Sequence, residues 1–114
     1  MPELPFLFIA ALFALNPLTL TVSPVTSVAP VTVRVRVITE RHADNRALCV
    51  SYDGPEYKRS CHTLNGSDDA RTWTLYWAFR IGGEYRAVAE LIRVEQGQTR
   101  QYVVAQAFQI IGWE

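Results

Sequence analysis

The residues from Arg71 to Val94 leave little choice of fold. Trp73, Leu75, Trp77, Phe79 and Ile81 fall at every second position, the period of a β-strand with one buried face. Gly82-Gly83 breaks the run, and a second alternation opens at Tyr85. The pattern is cleanest earlier, where Val31, Val33, Val35 and Val37 alternate with Thr32, Arg34 and Arg36. That spacing sends valines to a core and arginines to water. No segment of useful length with a helical period follows Pro30.

Between the alternating runs lie turn signals. Asp53-Gly54-Pro55, Asn65-Gly66-Ser67 and Glu95-Gln96-Gly97-Gln98 each favour a reversal of the chain. The spacing predicts strands over 31–38, 47–52, 57–64, 71–81, 85–94 and 99–111, with an extra edge strand available from 18–28. An all-β, antiparallel sandwich is the expected class. The chain has 114 residues, enough for one domain and not two. The expected division is an N-terminal segment over 1–29 and the β-domain over 30–114.

The N-terminal segment runs apolar and uncharged from Phe6 to Leu15. That length suits the hydrophobic region of an export signal and falls short of a membrane span. Glu3 and the absence of an early Lys or Arg count against a signal, and so does Pro30 after Ser27-Val28-Ala29. Three readings stay open: a signal peptide, a retained anchor and a part of the fold. Pro17, Pro24 and Pro30 leave 18–28 as an edge strand at most. If the segment is retained, it is expected to pack against another subunit or a membrane rather than join its own core.

Cys49 and Cys61 flank a turn at Asp53-Gly54-Pro55. A hairpin centred on Pro55 sets the two cysteines opposite each other, within reach of a disulfide. Disulfides belong to oxidising compartments, so the chain is expected outside the cell, at its surface or in a periplasm. A zinc site is not expected, because His62 adjoins Cys61 and no C-x-x-C pair exists. Charge points away from nucleic acid: 11 basic residues balance 11 acidic ones, with no basic excess to meet phosphates.

Gly83-Glu84-Tyr85-Arg86-Ala87-Val88-Ala89 resembles the penultimate strand of immunoglobulin-like and fibronectin type III-like domains. The resemblance implies that Tyr85 forms a corner, its hydroxyl bonded to backbone upstream. It also implies an Ig-like sandwich. Ala87 stands where antibody-type domains place a core cysteine, so the inter-sheet disulfide of those domains is absent.

Little in the chain suggests chemistry. His42 and His62 are the only histidines, and grouping Ser60, His62 and Asp68 or Asp69 as a triad finds no nucleophile elbow to support it. Asp68-Asp69 reads as a solvated turn rather than a calcium site. The expected function is therefore non-catalytic, with no cofactor and no metal. An exported module acting in protein–protein or surface contact comes first. A filament or layer subunit assembled through the N-terminal segment, and a carbohydrate-binding module, are the alternatives. Tyr52, Tyr57 and Tyr76 are the candidate binding aromatics, while Trp73, Trp77 and Phe79 are assigned to the core. A membrane enters only through an uncleaved N-terminal segment.

Overall fold

The computed structural model describes residues 17–66 and 69–112. Their regular elements are all strands: β1 (Leu18–Ser23), β2 (Thr26–Val28), β3 (Val31–Thr39), β4 (Asn45–Asp53), β5 (Lys58–Thr63), β6 (Thr72–Phe79), β7 (Gly83–Glu95) and β8 (Gln98–Ile111). They form two sheets, β1-β3-β6 and β2-β8-β7-β4-β5. Each pairing is antiparallel except β2 with β8.

The alternation read from the sequence is what joins the sheets. Val33, Val35 and Val37 are fully buried, and Arg34 and Arg36 point outward. From the other sheet, Leu48, Val50, Ala87, Ala89 and Leu91 complete the core. At one end the rings of Tyr52, Trp77, Phe79, Tyr85 and Phe108 cluster, with neighbouring centroids 4.7–6.0 Å apart. Tilted and edge contacts predominate there, as ring quadrupoles favour.

The long β7–β8 hairpin turns through Gln96 and Gly97, both at positive φ (50° and 78°). Two left-handed residues in a two-residue loop match the right-handed twist of the flanking strands. The β4–β5 turn is held tightly. A Cβ on Gly54 would sit 2.6 Å from the Glu84 carbonyl oxygen and 2.8 Å from the Tyr85 ring, so the turn lies flat on the start of β7 only because it lacks one.

The core reaches back beyond residue 30. Leu18, Val22 and Ala29 belong to the core, at 1%, 2% and 2% exposure. β1 pairs with β3 along its whole length, and the Val22 N–H donates to Gln106 Oε1 on β8 at 3.1 Å. Two strands, β3 and β6, are too narrow to cover a five-stranded sheet. Even with β1 in place, Tyr102 and Val104 on β8 stay half-buried. Residues 18–28, read as an edge strand at most, pair within their own chain. The expectations placed on Phe6 to Leu15 lie outside the described residues.

Candidate functional site

Cys49 and Cys61 face each other in register on β4 and β5 and are joined by a disulfide, with Cα atoms 4.0 Å apart. Tyr85 is buried, and its hydroxyl donates to the Ile81 carbonyl at 2.8 Å. Burial raises the Tyr85 phenol above its ordinary pKa, with smaller contributions from Glu56 and Tyr52. Burial and then Glu56 do the same to Tyr52. Of the candidate aromatics, Tyr52 is enclosed between Trp77 and Phe79 and offers no ring to a partner. Tyr57 and Tyr76 are open, at 65% and 68% exposure. Tyr57 lies in the β4–β5 connection and Tyr76 on β6 of the other sheet, so they form no common platform.

The Ser60, His62, Asp69 grouping does not assemble. His62 stacks on Trp73 at 5.5 Å, and the Asp69 carboxylate accepts from the Asn65 backbone N–H within its own loop. Asp68 lies outside the described residues. A different trio does meet. His42, Asp44 and Glu95 place their ligand atoms within 4.8 Å of one another. Two of the three are already engaged. His42 Nδ1 accepts from the Asp44 N–H at 3.0 Å, and Glu95 pairs with Arg100 at 3.1 Å.

Among the described residues, the outer face of the three-stranded sheet makes no side-chain hydrogen bond or ion pair with the rest of the chain. Pairing register sets Thr21 beside Arg36 and Arg36 beside Thr74. The next row sets Ser23 beside Arg34 and Arg34 beside Tyr76. Each guanidinium is therefore flanked on both sides by a hydroxyl-bearing residue, in two successive rows, and all six are exposed. Arg34 and Arg36 are the only charged residues on the three strands. Neither makes an ion pair among the described residues. The opposite outer face differs: there Glu90 pairs with Arg59 at 3.6 Å and accepts from Gln101 at 2.6 Å. Sequence reading treated these arginines as a solvated face. The rows become visible only once β1 and β6 are known to flank β3.

No protein-family model matches the chain, and neither does any curated protein. Solved structures do. A superoxide reductase (neelaredoxin) from Ignicoccus hospitalis superposes with a TM-score of 0.58 at 10% identity, covering 82% of this chain and 80% of that one. A single-residue variant of the same protein gives 0.58 at 11% identity, covering 89% and 86%. At such identity the likeness is one of fold. It corrects the immunoglobulin and fibronectin resemblance, because the matching architecture is that of superoxide reductases. The motif around Tyr85 encodes a corner, which is a local device and does not specify strand order. The expectation that the chain is not an enzyme is corrected as well: it rested on the lack of a catalytic motif, and the proteins sharing this fold carry the name of an enzyme.

Proposed function

We propose that this chain is an exported recognition domain that holds its partner against the outer face of β1, β3 and β6. The observation that carries the reading is the pair Arg34 and Arg36, exposed, side by side and without a carboxylate on any strand of their sheet. Solvation alone asks for no pairing of like charges side by side, and interspersed signs are the usual pattern of a solvated surface. The disulfide supports export, because cytosolic thiols are kept reduced.

The activity named for the fold neighbours finds no matching residues here. Superoxide reduction needs a centre that passes one electron to the substrate. Both thiols of this chain are joined to each other, and its two histidines stand on separate elements, His42 before β4 and His62 on β5. The His42, Asp44, Glu95 trio offers one imidazole, two carboxylates and no thiolate.

Labelled full-length protein, applied to cells and extracellular material of its source, tests the reading. Arg34→Glu with Arg36→Glu should abolish retention, and Arg86→Glu on the other sheet should not. Equal retention of the double variant and the parent, or no retention of the parent, would discard this face.

A further inference from the structure

Resting on that reading of the face, we propose that its ligand is a linear acidic polysaccharide, a glycan chain bearing carboxylate or sulfate groups. Arg34 and Arg36 are two residues apart on one strand, so their side chains leave the sheet about 7 Å apart. They stand far enough apart to take two anionic groups of one extended chain. Guanidinium is the side chain best shaped for such groups, since its planar fork meets a carboxylate or sulfate with paired hydrogen bonds.

The flanking residues speak for a sugar rather than a protein carboxylate. Thr21, Ser23, Thr74 and the Tyr76 phenol border the two arginines, and each offers a donor and acceptors to a polyhydroxylated chain. None of them makes a side-chain hydrogen bond to another described residue. Tyr76 adds an open ring, an apolar body with a polar tip. Thr19 and Thr72, next along the sheet beside Ile38, extend the hydroxyl rows.

Other polyanions fit less well. Single-stranded nucleic acid is held by several stacking rings in a basic groove, and this face has one ring and balanced charge overall. An anionic bilayer is drawn by clusters of four to eight basic residues, and two are present on these strands.

Calorimetric titration of the full chain with polygalacturonate, dextran sulfate and neutral dextran tests the proposal. A single-stranded oligonucleotide and phosphatidylglycerol vesicles complete the panel. Binding is expected with one or both anionic glycans, weakened by added salt, and none with dextran. The stronger of the two identifies carboxylate or sulfate as the group recognised. Arg34→Ala and Arg36→Ala should each weaken it about tenfold, the loss of one charge-assisted hydrogen-bonded contact. Tyr76→Ala should weaken it less, and Arg86→Ala not at all. Melting curves should show each variant as well folded as the parent, because all the changed side chains are exposed. No binding to either anionic glycan, binding unchanged in the double alanine variant, or tighter binding to the oligonucleotide or vesicles would overturn it. If the charge-reversed double variant loses cell retention and the glycan panel is silent, the glycan falls and the face stands.

Discussion

Arg93 is the one arginine among the described residues that the core takes in, at 5% exposure. Its Nε donates to Asn45 Oδ1 at 2.7 Å, its Nη2 to Glu40 Oε1 at 3.0 Å, and its guanidinium lies 5.2 Å from the Tyr102 ring centroid. Asn45 in turn donates to the Glu40 carbonyl at 2.9 Å. This network closes the end of the two-sheet core opposite the aromatic cluster. Half of it was written in the sequence: Tyr85, Ala87, Ala89 and Leu91 alternate inward, and Arg93 is next in that series. The other half was not. A bulge between Asn45 and Ala47 reverses the alternation of β4 and turns Asn45 inward, and no local signal announces it. Arg93→Ala should cost about 3 kcal/mol in chemical denaturation, because it strands the buried Asn45 oxygen and empties the space above Tyr102. A change below about 0.5 kcal/mol would mean that the network holds nothing.

Among the elements, the β7–β8 hairpin was the easiest to read and contains the clearest flaw. Its alternation and its Gly97 were evident in the sequence, but Gln96 also adopts a left-handed conformation, at φ 50°. An L-residue with a long side chain is disfavoured there, and Asn is tolerated. Gln96→Asn should therefore stabilise the protein by about 0.5–1 kcal/mol, seen as a raised melting midpoint; a lowered midpoint would contradict the turn geometry. The β4–β5 hairpin was legible for a different reason, since the disulfide partners bracket turn residues at equal distances. β1 and β2 were the least legible. Prolines 17, 24 and 30 surround short apolar stretches, and their place in the core depends on how wide the opposite sheet is, which is a property of the assembled molecule. The binding rows were hidden likewise, because Thr21, Arg36 and Thr74 are far apart in the chain.

At the scale of the whole molecule, the aromatic cluster sets an upper limit on pH. The Tyr85 and Tyr52 phenols lie above their ordinary value of about 10 in the folded state, chiefly through burial. Below that pH both states keep the proton and stability is unaffected. Above it the unfolded chain ionises first, so folding weakens as pH rises. Denaturation midpoints should hold steady up to about pH 9.5 and fall beyond it, and Tyr85→Phe should flatten the fall. The same variant loses the bond to Ile81 and should cost roughly 1–2 kcal/mol at neutral pH. An equal alkaline slope in parent and variant would show that Tyr85 is not the titrating group. The segregation of charge between the two sheets has a further consequence. The chain is formally neutral, yet one broad side carries only the two arginines of β3 on its strands, so the remainder of the molecule holds the compensating negative surplus. Such a body has no net drift in a uniform field but experiences a torque. Near a negatively charged boundary it would arrive turned, its arginines leading, before any contact forms.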